Sequence, residues 1–145
     1  MKKNEDKPYK GQCLCGAIKY EVDEMTNLTA HCHCSMCRKF HGAAFATFGE
    51  ARKERFRWIE GEEHLKSYVA DNGTTRQFCD SCGSSMTFHA PTGQDDIVEF
   101  TLGTLDSDIT LRPDAHIYVG SKASWSDICD DLPQYVDGRD SEKIT

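Results

Sequence analysis

Seven of the eight cysteines in this chain fall into three short clusters, and that grouping constrains the fold more than any other feature. The clusters are Cys13-Leu14-Cys15, Cys32-His33-Cys34-Ser35-Met36-Cys37 and Cys79-Asp80-Ser81-Cys82, with Cys129 standing alone. Thiols at such spacings serve as disulfides or as metal ligands, depending on the redox compartment. The segment Met1 to Lys7 is charged and leads into no apolar stretch, so no secretory signal is expected. No run approaches the roughly 20 apolar residues that a membrane helix needs. The expected location is therefore the cytoplasm, where thiols stay reduced, and metal becomes the leading explanation.

Structural zinc sites are closed by four protein ligands, whereas catalytic sites keep three and leave a position open. Two pairs make one closed site from Cys13, Cys15, Cys79 and Cys82. The triplet Cys32, Cys34 and Cys37 then supplies an open site. The arithmetic also permits Cys34 and Cys37 to join Cys13 and Cys15, but that strands Cys32 and splits a compact cluster. An imidazole from His31, His33 or His41 could also close the three-thiol site.

The rest of the chain reads as short strands separated by turns. Leu14, Gly16, Ile18, Tyr20 and Val22 alternate with Cys13, Cys15, Ala17, Lys19 and Glu21, which predicts a strand with Cys13 and Cys15 on one face. Asp71-Asn72-Gly73 between Leu65–Ala70 and Thr74–Phe78 predicts a hairpin. Further strands are expected at 28–31, 43–48, 56–59, 97–102 and 116–119, with one helical turn from Arg38 to His41 ended by Gly42. No helical period is sustained, so the expected class is all-β: packed sheets with short helical turns, stitched by metal. The length of 145 residues suits one domain over 11–136, between a flexible lead at 1–10 and a polar tail at 137–145. Seventeen basic against 24 acidic residues give a net charge of −7, which disfavours nucleic acid and anionic membranes as partners.

The clusters and their surroundings resemble a known family. Gly11-Gln12-Cys13-Leu14-Cys15-Gly16-Ala17-Ile18-Lys19-Tyr20, His31-Cys32-His33-Cys34-Ser35-Met36-Cys37-Arg38-Lys39 and Phe78-Cys79-Asp80-Ser81-Cys82-Gly83-Ser84 match the glutathione-dependent formaldehyde-activating (CENP-V/GFA) domain. So do Gly103-Thr104-Leu105-Asp106 and Pro113-Asp114-Ala115-His116-Ile117-Tyr118-Val119, with Trp125 following. The resemblance implies a β-tent of antiparallel sheets. It implies a structural zinc on Cys13, Cys15, Cys79 and Cys82, and a catalytic zinc on Cys32, Cys34 and Cys37. The implied reaction adds glutathione to formaldehyde, giving S-hydroxymethylglutathione, and in reverse is that of a carbon–sulfur lyase. A zinc-stabilised binding module and a thiol redox sensor are the competing readings.

Other residues have weaker signals. Arg38 and Lys39 could meet the carboxylates of an anionic thiol, or could be solvated. His116 could line the pocket, or be buried by Tyr118 and Trp125. Cys129 is expected to be a bystander, His64 and His89 lie in no motif, and Asp127 to Asp131 reads as a solvated acidic loop.

Overall fold

The structure, a computed structural model, describes residues 7–144. It is all-β with one α-helix. The strands are β1 (Tyr9–Gln12), β2 (Lys19–Val22), β3 (Ala30–Cys32), β4 (Ala46–Arg52), β5 (Phe56–Glu60), β6 (Leu65–Val69), β7 (Thr75–Cys79), β8 (Ser85–His89), β9 (Ile97–Thr101) and β10 (Ala115–Ile117); the helix is α1 (Ser35–His41). One sheet has three strands in the order β1-β2-β5, and the other seven in the order β10-β3-β4-β9-β8-β7-β6. No helix among the described residues is long and apolar enough to cross a membrane.

The described chain divides into two compact units, each built from two stretches. One takes the chain up to Asn27 with Gly49–Leu111; the other takes Leu28–Phe48 with the chain from Arg112 on. In the first unit the alternation seen in the sequence does bury Ile18, Tyr20 and Val22. Tyr20 stacks on Phe56 with centroids 5.1 Å apart and meets Trp58 and Phe100 at 6.1 and 5.6 Å. Its buried hydroxyl is satisfied by Thr104 Oγ1 at 2.8 Å. Cys13 and Cys79 belong to the same core cluster, so apolar packing and the thiols are organised together.

The hairpin forms as expected: β6 pairs antiparallel with β7 from Leu65↔Cys79 to Val69↔Thr75, and Gly73 takes φ 91° in the turn. A different glycine is decisive for the first cysteine pair. Gly61 has φ 79°, and a Cβ there would overlap the carbonyl oxygen of Ala17, in the loop that follows Cys15. Gly61→Ala should therefore destabilise the protein by about 2–4 kcal/mol, read as a lower urea midpoint. An unchanged midpoint would show that this loop yields freely.

Four expectations about local structure need correction. Cys13 and Cys15 are not on a strand. They lie in the turn between β1 and β2, closed by Cys13 N–H on the Ile18 carbonyl and Gly16 N–H on the Cys13 carbonyl, at 3.0 and 3.1 Å. Leu14 is accordingly 85% exposed. The strand expected at 43–48 starts only at Ala46, because Gly42 (φ 60°) caps α1, and it continues to Arg52. Pairing is not wholly antiparallel: β10 runs parallel to β3, Ala115↔Ala30 to Ile117↔Cys32. The first strand also begins inside the expected lead. Tyr9 and Lys10 are already in β1 with Tyr9 buried, although the first six residues of the expected lead lie outside the described residues. In the second unit the expected tail folds back: Arg139 grips the Asp114 carboxylate at 2.8 and 3.0 Å, and Ile144 N–H donates to the Gln134 carbonyl at 2.7 Å.

Two thiol clusters as candidate metal centres

Four sulfurs converge in the first unit. Those of Cys13, Cys15, Cys79 and Cys82 all lie within 4.8 Å of one another, with Cys13 to Cys15 at 3.6 Å and Cys15 to Cys79 at 3.8 Å. These separations exceed a disulfide bond, and all the cysteines are free. Thiolates on a tetrahedral zinc stand roughly 3.8 Å apart, from Zn–S distances of about 2.3 Å. The donor set therefore fits a soft tetrahedral ion.

Both halves of this set are built as tight turns with amides aimed at sulfur. Ile18 N–H donates to Cys13 Sγ at 3.3 Å and Ser81 N–H to Cys79 Sγ at 3.4 Å. Gly83 (φ 81°) closes the second turn onto the Cys79 carbonyl. Ser84 links the two halves: its hydroxyl accepts from Leu14 N–H at 2.9 Å and lies 3.2 Å from Cys82 Sγ. Burial raises the Cys82 thiol, but hydrogen bonds from the Ser84 hydroxyl and amide and the Cys15 amide outweigh it, bringing it down to about 6. An anionic sulfur is favoured there.

Three sulfurs converge in the second unit. Those of Cys32, Cys34 and Cys37 lie within 4.8 Å of one another. Cys32 ends β3. Cys34 is the N-cap of α1, its sulfur accepting the Cys37 N–H at 3.2 Å, and Cys37 points in from the first turn of the helix. The sulfurs of Cys34 and Cys37, together with burial, push the Cys32 thiol far above its ordinary range. Three thiolates this close repel one another unless a cation sits among them, so this set also fits a soft metal ion. No histidine nitrogen among the described residues joins the three sulfurs at that distance.

The histidines are placed elsewhere. His31 Nδ1 meets Thr47 Oγ1 at 2.7 Å, and His41 lies edge-on to Phe48 with centroids 5.8 Å apart. His33 is fully buried, and its Nε2 lies 2.8 Å from Nδ1 of His116, itself 3% exposed. Burial, with His116, His31 and Lys122 nearby, lowers the pKa of His33 to about 4. His116 Nε2 reaches the carboxylate of Asp130 at 2.9 and 3.1 Å. Asp130 is thus a partner of a buried imidazole, where a solvated acidic loop was expected. Trp125 is 72% exposed, so His116 is buried instead among His31, His33 and Phe45, with centroids 4.9, 5.0 and 6.3 Å away. Arg38 Nε donates to the Ser121 carbonyl at 3.1 Å, while Lys39 is exposed. Cys129 is exposed and outside both sulfur sets. His64 Nδ1 lies 3.2 Å from Asp80 Oδ1 and His89 Nε2 lies 3.6 Å from Asp95 Oδ1. The roles of Ser84 and Asp130 were the ones missed. Ser84 had a signal in its place after Cys82-Gly83, whereas Asp130 had none.

A family model described as glutathione-dependent formaldehyde-activating enzyme matches residues 8–121. A Halomonas elongata protein, named as a candidate glutathione-dependent formaldehyde-activating enzyme, is 28% identical over 125 residues, covering 81% of this chain and 79% of its own. An uncharacterised lyase of Schizosaccharomyces pombe is 28% identical over 86 residues, covering 59% of this chain and 61% of its own. The crystal structure of a Rhodobacter sphaeroides protein superposes with TM-score 0.58 at 27% identity, covering 70% of this chain and 91% of that one.

Proposed function

The chain belongs to the glutathione-dependent formaldehyde-activating enzyme family, and on that premise we propose that it joins a thiol to a small aldehyde at the Cys32, Cys34 and Cys37 site. The thiol is glutathione or a relative, and the aldehyde is formaldehyde or a relative. In the reaction the thiol gives up its proton, a carbon–sulfur bond forms, the carbonyl π bond opens and a proton ends on the oxygen. The reverse reaction is that of a carbon–sulfur lyase. This reading takes residues 11–136 as one domain working in the cytoplasm, with two zinc ions per chain.

The observation that carries the proposal is the three-sulfur set, held by a strand end and a helix N-cap and joined by no histidine among the described residues. Three protein ligands on zinc leave a position for a reactant. When bound, the zinc lowers the pKa of a thiol it holds and polarises a carbonyl oxygen. The chain's own part is positional. Cys34 and Cys37 are locked in register by the first turn of α1, and Cys32 by its strand pairing to Ala46 and Ile117. Lys39, exposed on α1, and the free nitrogens of the Arg38 guanidinium suit the carboxylates of an anionic thiol. Cys13, Cys15, Cys79 and Cys82 hold the structural zinc and keep no position open.

Exchange spectroscopy on formaldehyde and glutathione at equilibrium tests this directly, because the uncatalysed addition is itself measurable. The protein should raise the exchange rate in proportion to its concentration. A rate equal to that of buffer would remove the proposal for this substrate pair.

A further inference from the structure

His33, between the ligands Cys32 and Cys34, is held on every side that has a polar atom except one. Its N–H donates to the Ile117 carbonyl at 2.9 Å, and its carbonyl accepts from Ser121 Oγ at 3.2 Å. Its ring is fixed through His116 to Asp130, whose side chain is 47% exposed. The remaining atom, Nδ1, is buried and has no hydrogen-bond partner.

The chain of hydrogen bonds has a direction. An ionised carboxylate only accepts, so His116 carries its proton on Nε2. In the neutral ring the His116 Nδ1 is then a lone pair. His33 Nε2 must donate to it, which leaves His33 Nδ1 as a bare lone pair. Asp130 thus sets the tautomer of two buried rings in succession. Losing a hydrogen-bond partner of a metal ligand typically weakens metal binding about 10–100-fold, and His33 shares its backbone with the two ligands on either side of it.

We propose that Asp130 is a positioning residue for the three-cysteine site, fixing through His116 the ring and tautomer of His33 and hence the backbone that presents Cys32 and Cys34. The inference rests on the reading of that site as a zinc centre.

Asp130→Asn tests it, because the variant reverses the chain. The asparagine oxygen still accepts the Leu132 N–H, as Asp130 Oδ1 does at 3.0 Å, while its amide now donates to His116 Nε2. His116 must then carry its proton on Nδ1, and so must His33. Long-range proton–nitrogen spectra of the imidazoles should show Nε2–H on both rings in the wild type and Nδ1–H on both in the variant. Competition with a chromophoric chelator should show the second zinc bound about 10–100-fold more weakly in the variant. The zinc on Cys13, Cys15, Cys79 and Cys82 should be unchanged and so report an intact fold. Asp130→Glu should restore both readouts. Two zincs bound with equal affinity in wild type and Asp130→Asn would overturn the inference alone, as would wild-type rings protonated on Nδ1. A folded wild type that takes up a single zinc would remove the site reading and this inference together.

Discussion

Cys79→Ser should leave a chain that does not fold cooperatively. Cys79 is fully buried in the core of its unit, and its sulfur lies 3.8 Å from that of Cys15. It pairs with Cys82 across one turn and meets a pair from the other end of that unit's chain, so a metal held there would close a loop of more than sixty residues. Apparent zinc binding energies at structural sites are about 10–16 kcal/mol. Whole domains are stable by only about 5–15 kcal/mol. Losing the ion therefore removes as much free energy as the fold possesses. A serine hydroxyl is also a poor ligand for a soft metal. The expected result is loss of the cooperative thermal transition and binding of an apolar dye, and a strong chelator should produce the same state in the wild type. A variant melting within a few degrees of the wild type would show that the four-sulfur set contributes little to folding.

Cys34→Ser should do the opposite, keeping the fold and losing the chemistry. Cys34 is only partly buried and lies outside the large apolar cluster. Its structural task is to cap α1 through the Cys37 N–H, and serine is among the best N-caps. The exchange of one cap for another should by itself change stability by no more than about 1 kcal/mol. The sulfur is another matter, since two thiolates cannot hold zinc as three do, and the position available to a reactant goes with the ion. Exchange between glutathione and formaldehyde should fall to the uncatalysed rate. A Cys34→Ser protein that still accelerates the exchange would place the reaction elsewhere.

The two sulfur sets were legible in the sequence because clustered cysteines carry their own spacing code, which does not depend on how the backbone is folded. The hairpin at Asp71-Asn72-Gly73 was legible for a similar reason, since a turn type demands particular residues. Alternation was a weaker guide. It gave the burial of Ile18, Tyr20 and Val22 correctly, but it also ran back through Leu14 into what is a turn, because a turn held by its own backbone hydrogen bonds has no hydrophobic period. Long-range pairing left no local mark at all. Nothing in Gly138 to Ile144 announces that it returns to Gln134 and Asp114. Asp130 is the sharpest case. It sits in an acidic run in which Asp127, Asp130 and Asp131 look alike, and only the fold brings one of them to His116.

The central claim is that the two sulfur sets hold two zincs with different duties, and metal stoichiometry under native mass spectrometry tests it most directly. The wild type should carry two zinc ions per chain and Cys34→Ser one, both folded. A folded wild type with a single zinc, or a Cys34→Ser protein retaining two, would contradict it.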